Sequence, residues 1–589
     1  MSGIKVRSTK LRIISLALAM VSFNLPNVAQ PRQTGNSVDI ALREKLNLIS
    51  DLQGLAARAK QLNAPLAQAV AEAEVADAAW SFDRDLAKQL LRDSFILTLP
   101  DEVQQSKLRN RLAGSPPRFP TSLEGARWNV RKRIMEVARR DKPFANELAN
   151  SLTEKLGPYE GHVTYASLAR GALEQGDNDT ASNYIRKAID ADPTQVSASI
   201  EIARLATKDR AAADQAIIEY INRLKSATLS FHNGSEQRVF YSLATLVLVP
   251  SANLGVEGAQ ISPPGPEVIK AYVAFTLDLL NQMDAVDLNA SRGFLLMVWP
   301  LLARYSPELK QQFFDLEQRS RKAGENFSAP TAKSLDQESK AKFEKRVQRE
   351  LESDQPDAMV IQRVISRGDF SKARKLIDKL ADGPQKAELV EMLNAQLAIS
   401  LANKDDIPGA QKLAESLEKA ASILRVFPVI AGKCAAKNDE VCARDSVNQA
   451  VRQLKKADVT PFAPPPGLPA SFLGTKRDFD PVLTSVGSLA LAVISLKDEL
   501  ALDVLDELVS AANHSQLDTG QGRTGFEASL FKKLAGKNEE RTTAAALQLQ
   551  DPLRQIVALA AIDQWKSDKL VAEERLRSVQ NEGRPVKKN

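Results

Sequence analysis

The 589-residue chain is 43% hydrophobic and 26% charged, with two Cys and three His, which excludes both wholesale disorder and a disulfide-rich scaffold. Its 79 Lys and Arg exceed its 73 Asp and Glu by a formal charge of +6. Four of those positive charges, Lys5, Arg7, Lys10 and Arg12, precede residue 30 in a stretch without acidic residues, so the nearly neutral remainder gives no charge argument for a nucleic-acid partner or a membrane surface.

Residues 1–29 read as an export signal. A basic segment, Lys5 to Arg12, precedes an apolar run, Ile13 to Phe23, and then a breaking Asn24-Leu25-Pro26. Cleavage is expected after Ala29, with the mature chain periplasmic or extracellular. The apolar run is about half the length that spans a bilayer, and no Cys follows it to carry a lipid. The alternative is an amphipathic first helix. Elsewhere no run approaches about 18 apolar residues, so no transmembrane segment is expected. The nearest candidate, Gly293 to Ala303, is short and contains Pro300.

Beyond residue 35 helical signals dominate. Long stretches are rich in Ala, Leu, Glu, Lys, Gln and Arg, which lose least on entering a helix. Alternating β-branched runs are nearly absent. Leu243 to Val249 is the apolar exception, readable as a short strand or as a buried helix end before Pro250.

The helices come in pairs. Tyr165, Leu168, Ala169 and Ala172 mark one helix face; Gly176-Asp177-Asn178 breaks the chain; Ala181, Tyr184, Ile185 and Ala188 mark a second, ended by Pro193. Small residues at 169, 181 and 188 let two backbones approach while the larger side chains fill the gaps. Segment 162–193 thereby resembles the tetratricopeptide repeat, whose small residues and proline match Ala169, Ala181, Ala188 and Pro193. The spacing returns at Ala431, Ala443 and Ala450. Looser copies occur at Ile361, Ala373 and Leu380 (with Gly368 at the turn), at Ala398, Ala410 and Leu417, at Leu489, Ala501 and Leu508, and at Ala560, Ala572 and Val579. Val75, Ala87 and Ser94 form an early degenerate one. The resemblance implies an all-α, irregular α-solenoid of antiparallel helical hairpins, in which each hairpin buries its apolar face against its neighbours.

Proline-rich breaks divide the chain at Gly114–Pro120, Ser262–Pro266 and Pro461–Pro469, and Asn326–Ala332 is a fourth candidate before a charged helix, Ser334–Ser353, with a stripe of Leu335, Phe343, Val347 and Leu351. The expected division is 36–260, 267–460 and 470–580, all of helical repeats.

Chemical motifs are sparse. Gly520, Gly522 and Gly525 spell a dinucleotide-loop pattern, but the residues before them read as a helix end and not a strand, so a glycine-rich loop is expected. Ser529 and Lys532 have Ser-x-x-Lys spacing without companion motifs. His162, His232 and His514 have no second ligand nearby, and His162 is expected at an exposed helix end. Trp80, Trp128, Trp299 and Trp565 are expected to pack. Cys434 and Cys442 flank a polar stretch that would turn one helix onto the next, which makes a disulfide possible. No catalytic, cofactor or metal-binding residue is nominated. The expected role is a non-catalytic scaffold for a protein or peptide partner. The alternative is an exported polysaccharide-acting enzyme, whose pocket would hold two carboxylates about 5 to 10 Å apart beside an aromatic ring.

Overall fold

A computed structural model describes residues 36–102, 105–106, 122–227, 234–248, 262–283, 288, 292–322, 344–353, 355–456, 480–494 and 498–582. The chain forms two compact units, residues 1–47 and 48–589. Of the first, the described residues 36–47 are helical and open α1 (Asn36–Ala59). The export signal, three breaks (Gly114–Pro120, Asn326–Ala332 and Pro461–Pro469), His232, Leu335 and Phe343 lie outside the described residues.

The second unit is an all-α solenoid, with no strand among the described residues. Its helices are α2 (Pro65–Ala79), α3 (Arg84–Leu97), α4 (Ser122–Ala138), α5 (Lys142–Leu156), α6 (Pro158–Glu174), α7 (Asn178–Ala191), α8 (Ser197–Ala206) and α9 (Arg210–Ser226). They are followed by α10 (Gly234–Leu248), α11 (Pro266–Asn281), α12 (Arg292–Tyr305), α13 (Lys310–Lys322), α14 (Ala358–Ser366), α15 (Phe370–Asp378), α16 (Pro384–Asn403) and α17 (Ile407–Ala414). The remainder are α18 (Ala420–Ala436), α19 (Glu440–Leu454), α20 (Pro481–Val493), α21 (Asp498–His514), α22 (Ala528–Ala535), α23 (Glu539–Leu547) and α24 (Pro552–Glu582).

The hairpin turns have a local cause. Gly176, Gly368, Asp405 and Asn438 each adopt positive φ after a helix. The next residue is an Asp in every case, and its N–H reaches back to a carbonyl of the preceding helix: Asp177 to Ala172, Asp369 to Val364, Asp406 to Leu401 and Asp439 to Cys434. That pattern closes the helix C-terminus. The same Asp then caps the next helix, its side chain accepting from the N–H of Thr180, Lys372, Gly409 or Cys442. One residue thus ends one helix and starts another.

Packing follows the small-residue spacing. Ala169, Ala181 and Ala188 are fully buried between α6 and α7, with Leu168 and Ile185 beside them. Ala431, Ala443 and Ala450 repeat this between α18 and α19, and Val75, Ala87 and Ser94 between α2 and α3. First helices pack on first helices, α4 on α6 and α6 on α8, while α7 packs on α9 in a second layer. At the far end of the unit α24 packs on α2, so the row of first helices continues from the last hairpin to the first.

Two expectations are corrected and one choice is decided. Ala560, Ala572 and Val579 do not form a hairpin: they lie on α24, one unbroken 31-residue helix, because neither Gly nor Pro interrupts it. Leu243 to Leu248 is the buried end of α10, not a strand. His162 is not at an exposed helix end but wholly buried within α6. Pro300 lies inside α12. Across Ser262–Pro266 the Gly265 N–H donates to Asp214 at 3.0 Å, and α11 packs on α9. Among the described residues no helix is long and apolar enough to cross a membrane.

Candidate functional site

A cleft of about 1120 Å³ opens where the two ends of the row of first helices meet. On α2, Val70, Ala73, Glu74 and Asp77 recur at helical spacing and form one wall; on α4, Ala126, Asn129, Val130 and Arg133 form the facing one. The segment from Gly522 to Ser529 closes a third side, with Val557 and Gln564 of α24 beyond it.

Two of the cleft's four carboxylates, Glu74 and Asp77, are tied down; Glu136 and Glu527 also line it. Arg133 donates from Nε and Nη2 to both oxygens of Glu74, at 2.7 and 2.8 Å, and from Nη2 to Asp77 at 2.5 Å. Arg140 pairs with the other oxygen of Asp77. Burial works to raise the Asp77 pKa, but Arg133 and Arg140 outweigh it and hold the carboxyl below its ordinary range. Burial likewise opposes the Arg133 charge, and Glu74 and Asp77 overcome it, so that pKa is raised. A carboxylate held ionised cannot serve as a proton donor near neutrality. The aromatic ring on this cleft is Phe526; neither Trp nor Tyr lines it.

The glycine pattern falls on this wall. Gly520 lies within a short 3₁₀ turn, Thr519–Gln521, that comes after α21, and Gly522 and Gly525 follow that turn; no strand precedes them among the described residues. Gly522 and Gly525 have φ of +72° and +82°. A Cβ at Gly522 would stand 2.9 Å from the Leu66 carbonyl oxygen and from Val70 Cγ2, so the loop packs against α2 and glycine is a steric necessity there. Arg554, only 3% exposed, donates to the Thr524 and Ala512 carbonyls and pins the loop to α24 and α21. Ser529 and Lys532 also line the cleft, but Ser529 donates to Glu527 and Lys532 pairs with Asp568 at 2.7 Å.

The other candidates are dispersed. His162 Nδ1 lies 2.8 Å from the Ala188 carbonyl, and Nε2 accepts from the Ala198 N–H at 3.3 Å. The ring is therefore a neutral strut between α6, α7 and α8; burial pushes its pKa down, against the raising effect of the Ala188 hydrogen bond. His514 contacts only the Ser510 carbonyl of its own helix among the described residues. Trp80 packs near Phe144, and Trp565 lies against Gly536. Trp299 packs its ring 4.8 Å from Phe313 and 5.5 Å from Phe314 while staying 37% exposed, and Trp128, also 37% exposed, departs from the packing expectation. The Cα atoms of Cys434 and Cys442, at the α18–α19 turn, are 5.7 Å apart, a separation that a disulfide spans.

No family model matches the sequence, and no curated protein matches it. Among solved structures, a circular tandem repeat protein with novel repeat topology and enhanced subunit contact surfaces aligns over 87% of this chain and 97% of its own, with 13% identity and a TM-score of 0.14. Ton1535 from Thermococcus onnurineus NA1 aligns over 74% of this chain and 98% of its own, with 11% identity and a TM-score of 0.15. Scores that low assign nothing to this chain, and its fold class rests on the helices themselves.

Proposed function

We propose that this chain is a non-catalytic helical-repeat scaffold that takes a protein or peptide segment in the cleft between α2, α4, α24 and the 522–529 segment. The carrying observation is the engagement of both Glu74 and Asp77 by Arg133. Those carboxylates are spent on structure. What remains is a mixed wall, with apolar Val70 and Val130 between charged Lys132 and Glu527, which suits a polypeptide more than a reacting small molecule. The test uses the chain from Gln30 onward and an Asn129→Trp variant, since Asn129 is exposed on the α4 wall and a large side chain there fills the cleft without entering the core. A single stoichiometric protein captured by the parent and lost with the variant supports the reading. Equal capture by both, or by neither, overturns it.

Membership of the tetratricopeptide class is part of this proposal, supported by the buried Ala169, Ala181 and Ala188 and by the turn at Gly176. Export is a further part, supported by the basic, apolar and breaking segments of residues 1–29. Expression of the full chain in a bacterial host should yield a mature N-terminus at Gln30 outside the cytoplasm. A cytoplasmic product that retains Met1 contradicts export.

A further inference from the structure

The opposite side of α4 carries a second hollow, of about 240 Å³, between α4, α6 and the first residue of α8. It lies below the roughly 300–1,000 Å³ of sites for drug-sized ligands, so it suits one small unit and not a length of chain.

Its lining is chemically specific. Thr164 and Ser167 project from α6, and Ser197 opens α8. None of these three hydroxyls has a hydrogen-bond partner among the described residues, and Thr164 is only 8% exposed. Helical Ser and Thr commonly bond back to the preceding turn, and these three hydroxyls instead stay available to a ligand in one hollow. Trp128 supplies a flat apolar side, with Lys132 Nζ 6.0 Å from its ring centre.

Charge adds the second half. Three cations, Arg131, Lys132 and Arg170, line the hollow with one carboxylate, Glu160, and two more carboxylates stand behind them, Glu136 at 3.9 Å from Lys132 and Glu201 at 2.8 Å from Arg170. Arg131 is held between the Thr98 carbonyl and Glu160. Arg170 gives Nε and Nη2 to the buried Glu201, which fixes its guanidinium and leaves Nη1 for a ligand.

We propose that this hollow binds a carboxylated sugar unit, of the hexuronate type. The ring has a stacking face in Trp128, its hydroxyls are matched by Thr164, Ser167 and Ser197, and its carboxylate is matched by Arg170 and Lys132. A neutral sugar leaves unused the donors that Arg170 Nη1 and Lys132 still offer beside their ion pairs. An acidic peptide side chain meets the cations but leaves the hydroxyls and the indole face unused. The site shares only Lys132 with the large cleft, so it stands or falls apart from the scaffold reading.

The experiment is calorimetric titration of the whole chain with D-galacturonate, a short oligogalacturonide, glucose and a capped glutamate. Saturable binding of the uronates is expected, with glucose and capped glutamate at least about tenfold weaker. Ser167→Ala with Ser197→Ala, and separately Arg170→Gln, should each weaken uronate binding at least about tenfold while the helical circular dichroism is unchanged. Asn129→Trp, in the other cleft, should leave it unaltered. Absence of uronate binding, equal binding of glucose or capped glutamate, or uronate binding that survives the serine double variant overturns the proposal.

Discussion

Gly522, late in the second unit, stands directly against the carbonyl oxygen of Leu66, near its start: a Cβ at 522 would lie 2.9 Å from that oxygen. The contact seats the glycine loop on α2 and builds one wall of the large cleft.

Gly522→Ala should therefore lower stability by about 2–4 kcal/mol, the sum of a left-handed backbone penalty and a steric clash. Gly176→Ala is the matched control. Gly176 has nearly the same φ, +77°, but nothing within 4 Å of a Cβ, so it should lose only about 1–2 kcal/mol. Urea midpoints compare the two, and equal losses would show that the loop does not bear on α2.

Arg133→Met should be strongly destabilising, because it strands Asp77, which is 4% exposed, beside Glu74. Breaking a buried ion pair costs about 3–5 kcal/mol, and the partial exposure of Arg133 places the expected loss toward the lower figure. The pH dependence follows from the depressed Asp77 pKa. The unfolded chain takes up this proton first, so the contribution is complete above about pH 4 and disappears as pH falls through the folded value. Asp77→Asn should flatten the acid limb of the stability curve.

His162 has a depressed pKa in the folded chain, caused first by burial. Its contribution is thus complete above the unfolded value of about 6.5 and is lost as pH falls below it. Asp563 acts in the opposite sense, since burial raises its pKa to about 6 and its contribution fades as pH rises through that value. The difference between wild type and His162→Gln removes the Asp563 effect. Wild type should lose more stability than the variant between pH 7.5 and pH 5 in urea denaturation; parallel losses would exclude the buried-imidazole account.

If Cys434 and Cys442 are bridged, neither should alkylate in urea without a reductant, and both should alkylate after reduction. The closed loop is short, with a sequence separation of 8, so reduction should lower stability by no more than about 2–3 kcal/mol. Immediate alkylation in urea under oxidising conditions would disprove the bridge.

What the sequence determined by itself is local. The spacing of Ala169, Ala181 and Ala188 specifies a helical pair, because small residues at those offsets face each other only when two helices fold back. The turn signal is also legible, and richer than the glycines alone suggest: a residue at positive φ followed by Asp marks the hairpin at 176, 368, 405 and 438. Spacing misleads at Ala560, Ala572 and Val579, where no such turn residue breaks α24.

Tertiary structure decided the rest. The glycine pattern, the Glu74–Asp77 pair and Arg133 become one site only because α24 and its preceding loop meet α2. Beside them Arg58 of α1 reaches Gln555 of α24, 497 positions distant. His162 gives no local sign of burial, since its partners, Ala188 and Ala198, belong to the next two helices. Helix pairing depends on interactions within a few turns of chain. Which end closes on which depends on the summed small rotations of every hairpin between them, and no segment carries that sum.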